Sequence, residues 1–157
     1  MSIINISVVV DANYVVQHYG TNNAWQNPPA FYHENIYLTV RGSAAVQQNA
    51  SGWLVMQAKE EGETDVDILR WRMQEISLGA DSQCFITKFN IQAGASLITA
   101  PKQRRLGSGA NSRPDCLWES TVLTRGHVQY NLEFMVVDRQ GHVQGYYTYD
   151  PAIEISQ

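Results

Sequence analysis

The segment from Val128 to Val136 constrains this chain more than any other part of it. Val128, Tyr130, Leu132, Phe134 and Val136 alternate with Gln129, Asn131 and Glu133. Successive side chains of a strand point to opposite sides, so the five apolar residues share one face and the polar ones the other. A helix would scatter the same residues around its circumference. The segment is therefore a long strand with one face in a core. It runs into Asp138-Arg139-Gln140-Gly141, a hairpin turn with glycine where φ > 0 is called for. The chain then returns through His142 to Ile155, rich in Tyr and Val.

The same alternation recurs. Ile4, Ile6, Val8 and Val10 face away from Asn5 and Ser7, and Ile36, Leu38 and Val40 alternate with Tyr37 and Thr39. Gly52–Ala58, Asp67–Ile76, Gln83–Phe89 and Cys116–Leu123 are further strand candidates. No window reads as an apolar stripe of helical spacing with capping residues at its ends. Short strands separated by Gly, Asn and Pro predict an all-β fold, an antiparallel β-sandwich of Ig-like or jelly-roll-like type with long end loops. The long irregular connections favour two packed sheets over a closed barrel. The 157 residues form one domain, 1–157, with no repeat or linker. A chain of that length buries roughly 70% of its unfolded surface.

Composition narrows the function. Charged residues are 17% of the chain, below the usual ~25%, and the net charge is −4. A nucleic-acid binder needs clustered cations to displace counterions, so that class is excluded. The start, Met1-Ser2-Ile3-Ile4-Asn5-Ile6-Ser7, lacks a basic n-region and is interrupted by polar residues, unlike a signal peptide. No stretch approaches the ~18 apolar residues of a membrane span, and the expected address is the cytoplasm. Cys84 and Cys116 read as buried thiols rather than a bridge. His18, His33, His127 and His142 show no metal-ligand spacing, and no nucleophile motif is present. No metal, cofactor or catalytic centre is expected.

Three connections stand out. In 20–30, Trp25 lies in a polar, proline-marked loop followed by Tyr32 and His33. Trp25 either plugs the sandwich end or, with Tyr32, His33 and Trp53, offers a stacking surface for a sugar or a partner. The loop 59–65 carries Glu60, Glu61, Glu63 and Asp65, whereas 99–115 carries Lys102, Arg104, Arg105 and Arg113. These are solvated loops, or the basic loop of one copy meets the acidic loop of the next, a contact that does not close on itself.

Several segments, taken in order, resemble the PixA/AidA inclusion body proteins of bacteria. The opening strand Ile4–Asp11, the Asn27-Pro28-Pro29 segment with His33, and the terminus Gly145–Ile153 are similar to that family's. Most specific is Asp67-Ile68-Leu69-Arg70-Trp71-Arg72, which resembles its Asp-x-(hydrophobic)-Arg-Trp-Arg strand. The resemblance implies an all-β domain tied to cytoplasmic, sometimes crystalline, inclusion bodies and to association with hosts, with no accepted enzymatic activity. The founding member is methionine-rich and this chain has four Met, so a sulfur-storage role transfers poorly. Trp71 reads as core, while Arg70 and Arg72 either clamp carboxylates such as Asp11 and Asp150 or form an anion site. The leading expectation is a non-enzymatic protein that self-associates or binds a host or cellular partner. The alternative is a carbohydrate-binding module.

Overall fold

The computed structural model describes residues 3–21, 24–30, 36–41, 45–48, 52–58, 66–77, 82–106 and 113–156. Alternation turns into sheets as expected. In β1 (Ile3–Val10) the side chains of Ile4, Ile6, Val8 and Val10 are buried, and in β9 (Gly126–Val137) those of Val128, Tyr130, Leu132, Phe134 and Val136 are. The other strands are β2 (Ile36–Arg41), β3 (Ala45–Gln48), β4 (Trp53–Gln57), β5 (Ile68–Glu75), β6 (Gln83–Ala93), β7 (Lys102–Leu106), β8 (Arg113–Thr121), β10 (Val143–Tyr149) and β11 (Ala152–Ser156). One sheet has the order β2-β1-β5-β8-β7. In the other, β9 carries β6 on one edge and β10 with β11 on the opposite edge, followed by β4 and β3. Both inner faces feed one core.

The sheets are mixed rather than purely antiparallel. β1 lies parallel to β5 and β11 parallel to β4, while the remaining named pairs are antiparallel. β10 and β11 are one return strand along β9. Tyr149 faces Leu132 and Ala152 faces Gln129, so the register passes unbroken across Asp150-Pro151. Pro151, which has no N–H to give, still accepts from Tyr130 N through its carbonyl (3.1 Å). The hairpin at Asp138–Gly141 forms as read, with Gly141 at φ 84 and Asp138 N donating to His142 O (2.9 Å).

Two elements depart from the sequence reading, and the first is α1 (Ala12–Tyr19), which is a helix. Its stripe is Ala12, Val15, Val16 and Tyr19, of which Ala12 and Val15 are buried and the other two pack on the core. Asp11 is its N-cap, accepting from Tyr14 N at 2.9 Å. The neighbouring end of β5 satisfies two more of the helix's orphan donors. Glu75 Oε1 accepts from Ala12 N (3.3 Å) and Ser77 Oγ from Asn13 N (3.1 Å). At the other end, Tyr147 of β10 donates its hydroxyl to Gly20 O at 2.8 Å. The helix thus reaches from one sheet to the other and closes that end of the core.

The basic segment after residue 99 is also not a loop. Lys102–Leu106 is β7, paired with β8 at the edge of its sheet. Its Lys and Arg residues lie on an edge strand, a placement that discourages edge-to-edge pairing with another chain.

The two sheets are joined through Trp71. Its indole is buried and its Nε1 donates to Tyr130 Oη, 3.0 Å away on the opposite sheet. Phe89 lies 5.3 Å from the Trp71 ring and 5.2 Å from that of Trp118, which makes a continuous aromatic layer. Replacing Tyr130 by Phe leaves this buried N–H without its acceptor. Tyr130→Phe is expected to lower stability by about 1–3 kcal/mol, read from denaturant midpoints.

Asp11 supplies a pH-dependent contribution. The Ser77 hydroxyl (2.6 Å), then the Tyr14 N–H, hold its carboxyl below the ordinary value. A folded-state pKa depressed in this way contributes stability that is complete above pH about 4 and is lost as pH falls through the folded value. Asp11→Ala is expected to cost about 1 kcal/mol at neutral pH. Urea titrations at pH 7 and pH 3 should show the gap to the parent narrowing in acid.

Candidate functional site

The outer face of the β6–β9–β10 sheet carries the feature most suited to binding. Residues 24–30 start with a turn closed by Asn27 N donating to Ala24 O (3.2 Å). The prolines then carry the chain in extended form along β10, where Thr148 N donates to Pro29 O at 3.0 Å and Ala30 bridges Thr148. This docking sets Trp25 beside Tyr146, a half-buried outward residue of β10. Trp25 stays 61% exposed, so it presents a face rather than plugging the core end, which α1 already closes.

Beneath Trp25 lies a groove of about 470 Å³ lined by Trp25, Gln26, Thr87, Lys88, Glu133 and Tyr146. A register shift in β6 between Ile86 and Lys88 turns both Thr87 and Lys88 outward. Thr87 Oγ1 donates to Glu133 O (3.1 Å), and Lys88 Nζ donates to Glu133 Oε1 (3.0 Å). The groove joins two aromatic surfaces to a floor of hydrogen-bonding groups whose charges cancel. Such a surface suits a neutral, polyhydroxylated ligand better than an ion. Glu133 was legible as an outward strand position. Its meeting with Trp25 was not, because that depends on how the proline segment docks on β10.

Trp53 lies elsewhere on the same face. It is 47% exposed and packs edge-on against His127 at 5.7 Å, with His127 Nδ1 3.3 Å from Glu154 Oε2. His127 and Glu133 are six residues apart on β9, roughly 20 Å at strand rise. Trp25 and Trp53 therefore belong to separate patches. Tyr32 and His33 fall outside the described residues, as do Glu60, Glu61 and Glu63.

Neither Asp11 nor Asp150 is the partner of Arg70. Arg70 makes a two-pronged contact with Glu119 Oε1, its partner across β5 and β8, through Nε (2.8 Å) and a second nitrogen. Arg104 Nε reaches the same carboxylate oxygen at 3.9 Å, while Lys102 faces Glu119 in the β7–β8 register. Arg105 is exposed on β7. Asp11 caps α1, and Asp150 accepts from Asn131 Nδ2 at 2.6 Å. Arg72 is exposed at the mouth of a cleft. Among the described residues no group of three or more His, Cys, Asp or Glu side chains is placed to hold a metal ion, and no helix is long and apolar enough to cross a membrane.

The chain is similar to a solved structure over nearly all of its length. It shares 16% identity with a crystal structure of an inclusion body protein (PixA) from Burkholderia cenocepacia J2315, at a TM-score of 0.75. The match covers 99% of this chain and 96% of that one, and at this identity it speaks for the fold. No curated protein sequence matches. The family model described as PixA, inclusion body protein, matches residues 2–155. The chain therefore belongs to the PixA inclusion body protein family.

Proposed function

We propose that this protein is a non-catalytic assembly protein whose copies associate with one another, in the cytoplasm, into inclusion-type particles. The observation that carries this reading is membership in a family described by its inclusion bodies, matched across residues 2–155. The surface supports it physically. A low charge density gives little mutual repulsion, and Trp53 offers an exposed aromatic on a sheet face. The cations of β7 are less available for contacts between copies than the sequence implied, because Arg104 and Lys102 already face Glu119. Association is thus assigned to the exposed Trp53 patch rather than to opposed charges.

Three outcomes check this. Cells overproducing the protein should show particles under the microscope, and Trp53→Ala should leave it dispersed. The particles should also persist in about 1 M salt, where the Debye length is ~3 Å. Dissolution by salt would return the role to the charged segments, and a protein dispersed at every level would remove the reading.

The Trp25 groove supports a second role, the binding of a neutral carbohydrate, through an exposed indole above paired polar groups. A ring stacks on the apolar face of a sugar while Gln26, Thr87, Lys88 and Glu133 meet its hydroxyls. A glycan array should identify a neutral binder. Trp25→Ala should weaken it at least about tenfold, the worth of about 1.4 kcal/mol of lost contact, and Trp53→Ala should not. An array without any binder would end this reading.

A further inference from the structure

Along part of one edge, β5 runs without a neighbouring strand. It is paired with β8 only from Ile68–Thr121 to Trp71–Trp118, although β1 stays beside it as far as Glu75. β8 meanwhile stays with β7 as far as Arg113. The strands part where Trp118 Nε1 donates to Ile86 O at 3.1 Å, which ties β8 to β6 of the facing sheet. A cleft of about 660 Å³ opens there, and Arg72, Met73, Gln74, Glu75 and Ile76 all line it. Successive side chains point to opposite faces of a strand, so a cleft that touches all five lies against the strand's edge.

Hydrogen-bond phase decides which backbone groups that edge offers. Val122 N donates to Asp67 O at 3.1 Å, in register with the β5–β8 pairs. Bonded pairs in an antiparallel ladder recur every second residue, so Leu69 and Trp71 also turn their N–H and C=O toward β8. Met73 and Glu75 are the next in that series. The opposite edge has the complementary phase, since Ile76 N donates to Val10 O of β1 at 3.1 Å. Among the described residues no strand pairs with Met73 or Glu75 on the cleft side. Their backbone groups are an open template for another strand.

We propose that this edge binds a short extended segment of a partner protein, which adds to β5 as a strand. A folded second copy offers its edges only within sheets, and a sheet does not enter a gap between two strands. A single extended chain does. Alternation sets the chemistry of that segment. Its inward side chains lie over Met73 and Cys84, both buried, so apolar residues belong there. Its outward side chains pass Arg72, which is exposed and makes no ion pair with another described residue, so an acid belongs there. The Glu75 carboxylate is turned to α1, where it accepts from Ala12 N at 3.3 Å and from Ser77 N.

The test uses the whole isotope-labelled chain and an end-blocked pentapeptide, Asp-Val-Thr-Val-Asp, whose pattern reads the same in both directions. Binding should be saturable and one to one. Near saturation the Met73 and Glu75 amides should exchange with solvent about tenfold more slowly. Those of Arg72 and Gln74, already turned to β1, should not change. Methylating the N–H groups of the two valines, or those of the other three residues, should abolish binding in one case and spare it in the other. The reason is that a strand turns alternate N–H groups to opposite edges. Arg72→Glu should weaken binding about fivefold, the scale of an exposed ion pair. Slowed exchange at Arg72 or Gln74 instead, equal binding of both methylated peptides, or no saturable binding would overturn the proposal. So would protection of Met73 and Glu75 that grows with protein concentration alone, which gives the edge to a second copy.

Discussion

The structure depends on the Trp71 indole reaching across the core to Tyr130. A buried N–H with no acceptor is costly, and the facing sheet supplies one at 3.0 Å. That contact fixes where β5 stands against β9, and therefore how one sheet stands against the other. Other features follow from the position of β5. Its outward Arg70 meets Glu119, its inward Met73 reaches the cleft, and its terminal Glu75 together with Ser77 caps α1. The Asp-x-(hydrophobic)-Arg-Trp-Arg strand is thus first an architectural device.

Closing one end of the core with a helix has a consequence for the surface. Because α1 is tied to Asp11 and Ser77 at one end and to Tyr147 at the other, no loop aromatic is needed as a plug. The segment 24–30 is free to lie along β10, where its prolines follow the strand edge and its tryptophan faces outward. The result is a face with two aromatic patches, one over a polar groove and one beside His127. Function is read from that face, since the interior is occupied by packing.

Much of this was legible in the residues. The β9 alternation, the hairpin at Asp138–Gly141 and the buried Trp71 each follow from local chemistry that tertiary contacts reinforce. The α1 stripe of Ala12, Val15, Val16 and Tyr19 was present too. It is only eight residues long and rich in valine, and its cap is completed by residues more than sixty positions away. β7 was missed because Lys102-Gln103-Arg104-Arg105 has no apolar alternation; pairing with β8 makes it a strand. Parallel pairing and the Trp25 groove bring together residues far apart in the chain, which periodicity does not report.

On the reading proposed above, copies of this protein associate with one another. Sedimentation velocity of the purified protein over a wide concentration range tests it most directly. A mass that grows with concentration past that of a 17.7 kDa chain is the expected result. A single 17.7 kDa species at every concentration would contradict it.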